Sequence, residues 1–341
     1  MEFLKKGDMV ALINIGRLPP KRFHNQISLV EKYLIELGYT VLNLLDFDNI
    51  TTPAMKSKQI SSCFSDERIK AIFPISAGDL EIEVVRNIDY DVIRSNPKII
   101  CGYSGLSTLI LMITLKTKMP TFYGPHLNFL SEYSSQRENM FSVYSFWNLF
   151  HGENCGKGRL KGFEKKTFFT CPKESELLIF KNIYSLKSAF KHEYINSYCH
   201  HETITGVIYI TTLAAFLKLL QLFQVSFTES YVLVLDVFEQ TFEQIINDVK
   251  MICNLLDMKL CKCIYFSTIC YRNEVHNIDV FKKSVNDLLS YLSSSVLPSS
   301  VDLLYGFPVG HSRYKLTLPN GAKGCVHVDT GEICFKNFWG E

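Results

Sequence analysis

The chain has 341 residues, 47% hydrophobic, 13% aromatic and 21% charged, which supplies apolar material for two folded domains and leaves too little polarity for disorder. Thirty-six basic residues against thirty-four acidic ones leave a net charge of +2 spread along the chain, so no basic footprint marks a nucleic-acid surface. Eleven cysteines, an odd number without a repeating frame, point to free thiols in a reducing compartment, the cytoplasm, rather than to a disulfide scaffold.

Lys5-Lys6 ahead of the apolar run Met9 to Ile15 has the outline of a signal peptide, but Asp8 interrupts it, the run is short and no small-residue cleavage site follows. Met9 to Ile15 therefore reads as a strand. Gln26 to Leu37 reads as a helix, Thr40 to Leu45 as a strand, Ser57 to Phe64 as a helix and Ala71 to Ile75 as a buried strand. Ser76-Ala77-Gly78-Asp79 is its turn, Asp79 to Ile88 the returning helix, and Lys98 to Tyr103 the next strand. Such alternation lays helices on a parallel sheet. Residues 151–200, with Gly152, Gly156, Gly158 and Gly162, read as a linker region. Beyond it come a helical stretch at Gly206 to Phe223, a strand at Tyr231 to Asp236, a helix at Thr241 to Leu256 and a strand at Lys262 to Thr268. Lys218 and Gln221 fall at helical spacing in the first of these, which makes it an amphipathic or buried helix rather than a membrane span. From Val301 on, short strand-like runs alternate with Gly and Pro. The expectation is an α/β protein: an N-terminal parallel-sheet α/β domain over residues 1–150 and a smaller C-terminal α/β or β-rich domain over residues 201–341.

The chemistry concentrates at Cys101-Gly102-Tyr103-Ser104-Gly105-Leu106, where a buried strand breaks into an apolar helix. A serine at such a turn is exposed and faces the free N–H groups of the helix start, so it can attack a carbonyl and have the oxyanion stabilised. Serine is also a common N-cap, and on local sequence alone the cap is favoured. Leu106 stands where the nucleophile elbow of α/β-hydrolases requires glycine. A base is available in His311, set in the Gly-Pro loop Phe307-Pro308-Val309-Gly310-His311-Ser312, although a surface-loop histidine explains it as well. An acid to orient that base is offered by Asp236 at the end of its strand or by Glu239 just beyond. Cys199-His200-His201-Glu202 and Cys261-Lys262-Cys263 lack the paired spacing of zinc sites, so no metal is expected. Gly152 to Gly158 is one residue and one hydroxyl short of a phosphate loop.

In order along the chain, these pieces resemble the LD-carboxypeptidase family of serine peptidases, which includes the microcin C self-immunity peptidases. The resemblance is carried by Leu4-Lys5-Lys6-Gly7-Asp8, by Asp66 to Pro74 with Ser76 to Asp79, and by Ile88 to Ile93 leading through Asn96-Pro97-Lys98 to Gly102-Tyr103-Ser104. It continues in Phe122-Tyr123-Gly124-Pro125, Gly306 to His311 and Leu318-Pro319-Asn320-Gly321. It implies a Ser-His-Glu triad divided between two domains, no organic cofactor, no metal and a homodimer. Carried onto this chain, Ser104 becomes the nucleophile, His311 the base, and the N–H groups of Gly105 and of the Gly78 turn the oxyanion hole. The departures are Gly105 where the family has aspartate, Ala77-Gly78 for paired glycines, and Thr205 to Leu213 for a segment whose signature is mostly missing. The family's triad glutamate falls on Asp236 in one alignment and on Leu235 in the neighbouring one.

The resemblance implies a serine-type carboxypeptidase acting through an acyl-enzyme on a murein tetrapeptide or a peptidyl-aminoacyl nucleotide antibiotic. The competing expectation, motivated by the departures, is a weak or inactive relative that binds a peptide or peptide antibiotic. Neither expectation involves nucleic acid or a membrane.

Overall fold

The computed structural model describes residues 1–15, 24–45, 52–75, 81–127, 137–151, 169–170, 177–180, 201–267, 278–312, 315–328 and 332–336. The chain divides into two compact units, Met1–Phe163 with Tyr314–Gly321 and Trp339–Glu341, and Glu164–Arg313 with Ala322–Phe338. Both are α/β. Among the described residues, no helix is long and apolar enough to cross a membrane.

The first unit contains β1 (Met9–Ile13), α1 (His24–Glu36), β2 (Thr40–Asn43), α2 (Pro53–Ser65), β3 (Ile69–Pro74), α3 (Glu81–Asn87), α4 (Tyr90–Ser95), β4 (Ile99–Gly102), α5 (Leu106–Thr117), β5 (Thr121–Tyr123) and α6 (Arg137–His151). Strands β1 to β5 are parallel in the order 2-1-3-4-5. Sheets wound in this order take ligands outside the carboxyl ends of their strands. A late segment, β12 (Leu318–Asn320), returns to add an antiparallel strand beside β5. Strands β1, β3 and β4 are apolar runs buried almost throughout, as strands covered on both faces must be.

Two helices here escaped the sequence pattern. The returning helix expected over Asp79 to Ile88 is described from Glu81 to Asn87, and a second helix, α4, follows it, started by the Asp89 carboxylate, which accepts from the N–H groups of Asp91 and Val92. The other is α6, which packs Phe146, Trp147 and Phe150 against Phe73 and, through Phe150, against Phe122. His151 at its end is buried, stacks on Trp147 and meets the Tyr39 hydroxyl through Nε2. Burial pushes its pKa down to about 4.

The second unit contains β6 (Phe169–Thr170), β7 (Leu177–Phe180), β8 (Thr203–Thr212), α7 (Leu213–Leu222), β9 (Tyr231–Asp236), α8 (Phe242–Leu255), β10 (Cys261–Ser267), α9 (Ile278–Ser295), β11 (Asp302–Phe307), β13 (Ala322–His327) and β14 (Glu332–Lys336). Its sheet runs β11-β10-β9-β8-β13-β14-β7-β6, eight strands against six in the first. Strands β8 to β11 are parallel and linked by α7, α8 and α9, while β13, β14, β7 and β6 are antiparallel. Strands β6 and β7 lie within the stretch expected to be a linker.

The helical stretch expected from Gly206 to Phe223 is corrected: its first half is the long strand β8 and only its second half is helix. Val207, Ile208, Ile210, Thr211 and Thr212 are β-branched and favour the extended chain, whereas Lys218 and Gln221 belong to the helical half. An apolar run of that length does not separate buried strand from buried helix by periodicity.

Candidate active site

Ser104 lies two residues beyond the carboxyl end of β4, in the first unit, at φ +59°. A serine in the left-handed region costs on the order of 1 to 3 kcal/mol and persists where the surroundings enforce it. The helix cap is not Ser104. Gly105 occupies the N-cap of α5, with no side-chain cap bond. The Ser104 carbonyl instead accepts from the Ser107 N–H at 2.9 Å and the Ser107 hydroxyl at 2.6 Å. The turn is kept tight by Gly102, where a Cβ would stand 2.6 Å from Leu106 Cδ1. The Tyr103 N–H donates to His126 Nε2 at 3.4 Å, and the two rings lie 4.7 Å apart. The Gly105 N–H stands at the helix start, where N–H groups lack intrahelical acceptors. Gly78 and its turn lie outside the described residues.

In the second unit the structure brings Asp236 and His311 together. Asp236 ends the fully buried strand β9, and the loop after β11 carries His311 to it. The Asp236 carboxylate is wholly buried and accepts from His311 Nδ1 at 2.7 Å, the His311 N–H at 3.0 Å and the Ser267 hydroxyl at 3.2 Å. Ser267 in turn accepts from the Val237 N–H at 3.1 Å. Because an ionised carboxylate only accepts, the ring proton of a neutral His311 sits on Nδ1. Phe238 stacks on the imidazole with centroids 3.9 Å apart and planes 14° from parallel. The His311 side chain is 11% exposed. An imidazole fixed by a carboxylate, with its second nitrogen unprotonated, is a general base.

Gly310 makes this approach possible. It sits at φ +62°, and a Cβ there would lie 2.0 Å from Asp236 Oδ2. Glu239, the other candidate acid, is exposed, at φ +54°. Ser267 and Phe238 carried no sequence signal, since only the pairing of β9 with β10 brings the serine beside the carboxylate.

Of the motifs set aside for metal or phosphate, Cys199, His200 and the glycines of 152–158 lie outside the described residues. His201 Nδ1 pairs with Asp302 at 2.8 Å, and Cys261 and Cys263 are buried free thiols. None of the seven described cysteines is in a disulfide. A ligand-type cluster that the spacing did not reveal is Cys325, His327 and Cys334, assembled by the pairing of β13 with β14. A hydrogen bond with the Cys334 thiol and the adjacent His327 ring hold the pKa of the Cys325 thiol down to about 6.

Residues 10–124 match the LD-carboxypeptidase N-terminal domain. A protein of Treponema pallidum named as a carboxypeptidase is 30% identical over 110 residues, 32% of this chain and 32% of that relative. The alignment thus spans about a third of the relative's length. Among solved structures, the microcin C7 self-immunity protein MccF in complex with aspartyl sulfamoyl adenosine superposes with a TM-score of 0.72 at 16% identity, covering 98% of this chain and 97% of that one. Muramoyltetrapeptide carboxypeptidase from Oxalobacter formigenes gives 0.71 at 15% identity, covering 96% and 97%. Both share the two-domain α/β fold.

Proposed function

We propose that the chain, whose residues 10–124 match the LD-carboxypeptidase N-terminal domain, is a serine hydrolase that cuts an amide bond beside a free carboxylate or an aminoacyl nucleotide. Ser104 Oγ attacks the amide carbonyl and gives its proton to His311 Nε2. Asp236 holds the imidazole and stabilises the imidazolium. The N–H groups of Gly105 and of the Gly78 turn receive the oxyanion. His311 returns the proton to the leaving amine, then deprotonates a water that releases the acyl group from Ser104. The chain works in the cytoplasm, as a homodimer and without metal at this site.

The observation that carries the reading is the buried Asp236 carboxylate holding His311 Nδ1, the arrangement of a base and its orienting acid. The strained φ of Ser104 adds to it. The 2.7 Å hydrogen bond from His311 Nδ1 supports Asp236 as the replacement for the family's glutamate. The relatives supply two substrate classes, a murein tetrapeptide and an aminoacyl nucleotide conjugate.

The test is mass-spectrometric hydrolysis of a murein tetrapeptide and of a peptidyl-aminoacyl adenylate analogue by wild type, Ser104→Ala and Asp236→Asn, with fluorophosphonate labelling alongside. Cleavage of either substrate that vanishes in Ser104→Ala and falls by roughly 10⁴ in Asp236→Asn is expected. Folded wild-type protein that cleaves neither and takes no label would sink the hydrolase reading and leave a peptide-binding relative.

A further inference from the structure

A second group of chemically competent side chains lies on the hairpin of β13 and β14. Residues two apart on a strand share a face, so Cys325 and His327 point the same way, and the ladder sets Cys334 directly opposite Cys325. The two sulfurs and an imidazole nitrogen lie within 4.8 Å of one another. Cys325 Sγ is 3.7 Å from His327 Nε2. Zinc bonds of about 2.3 Å to sulfur and about 2.0 to 2.1 Å to nitrogen, set at the tetrahedral angle, require about 3.6 Å between those two atoms.

The imidazole is already oriented. Its Nδ1 lies 3.2 Å from the hydroxyl of Thr203, its register partner on β8. That contact ties down one ring nitrogen and leaves Nε2 toward the sulfurs, as the outer partners of metal-bound histidines do. Cys334 is buried, while Cys325 and His327 are half-buried, which gives an ion a way in.

We propose that Cys325, His327 and Cys334 form a zinc-type site with three protein ligands and a fourth position open to water or another donor. Two thiolates and one imidazole favour zinc or copper(I) over magnesium or calcium, whose preference is for oxygen. Two thiolates also balance the charge of a dication, so the filled site is neutral. Bound there, the ion ties β13 to β14 at the strand that joins the parallel and antiparallel halves of the second sheet.

The experiment uses the full chain, reduced and stripped of metal, titrated with zinc, desalted and assayed for retained metal by mass spectrometry. Cobalt(II) serves as the spectroscopic probe. One zinc per chain and a thiolate-to-cobalt charge-transfer band are expected. Cys325→Ser and His327→Gln should each lower zinc affinity at least about tenfold while melting like the metal-free wild type. Thr203→Val should weaken binding about 10- to 100-fold. Zinc retained equally by the Cys325→Ser and His327→Gln variants would assign the metal to other cysteines and overturn the proposal. So would reduced wild-type protein that holds no zinc, whether or not its oxidised form carries a Cys325 to Cys334 disulfide.

Discussion

Replacing Gly310 by alanine would set a methyl group against a carboxylate that has no room to retreat. The added Cβ would stand 2.0 Å from Asp236 Oδ2, 2.1 Å from its Cγ and 2.5 Å from Oδ1, against ordinary contacts of 3.4 to 4 Å. Asp236 is wholly buried and held by the His311 N–H, His311 Nδ1 and Ser267, so relief requires the loop to move and the pair to part. Holding a non-glycine residue at φ +62° costs on the order of 1 to 2 kcal/mol, and overpacking a close contact roughly another 1 to 3. The sum, about 2 to 5 kcal/mol, corresponds to a fall of about 4 to 20 °C in melting temperature. Gly7→Ala is the matched control: Gly7 sits at φ +92° with nothing within 4 Å of a new Cβ, so it carries backbone strain alone. Calorimetry on the two variants separates strain from collision, and the rate of fluorophosphonate labelling tests the proposed role of His311 as base. Gly310→Ala melting with Gly7→Ala and labelling like wild type would refute the claim that this glycine exists to admit the carboxylate.

The φ of +59° at Ser104 predicts that Ser104→Gly melts higher than Ser104→Ala, by an amount worth about 1 kcal/mol, with neither variant labelled; equal melting would remove strain from the account. Lys98 is buried, and its ammonium donates to the carbonyls of Cys63 and Asp66 at the end of α2. Lys98→Met strands those acceptors and should cost about 2 to 3 kcal/mol in urea unfolding, whereas a neutral result would mean that water satisfies them. His151 has a folded pKa of about 4 against 6.5 in the unfolded chain, so between those values the unfolded state binds more protons. Its contribution is complete above about pH 6.5 and is lost as the pH falls toward 4, at most about 3 kcal/mol. Urea titrations from pH 4 to 7 on wild type and His151→Gln check this, and parallel pH profiles would contradict it.

Ser104 and Asp236 stood out in the sequence because each stands at the carboxyl end of an apolar run, where parallel α/β sheets expose reactive groups, and His311 because it sits in a Gly-Pro loop. Whether Ser104 caps its helix was not legible, because that depends on one dihedral angle and N-cap preference pulls the same residue the other way. Helix α4 announced itself only through Asp89, a single capping carboxylate just beyond the end of the expected helix. The cluster at Cys325 was invisible for a different reason. Its ligands are joined by strand register across the hairpin, and register is a tertiary property that ligand spacing does not encode when Cys-x-His is followed by a lone cysteine.

The route of the chain has a consequence for synthesis. Strand β12, which closes the edge of the first sheet beside β5, leaves the ribosome after nearly all of the second unit. At about 5 to 20 residues per second, β5 waits roughly 10 to 40 s for its partner, with its outer N–H and C=O groups open to any passing strand. Residues 1–163 produced alone would carry that open edge permanently. A fragment extending only to His311 would do the same, and both should aggregate where the full chain does not.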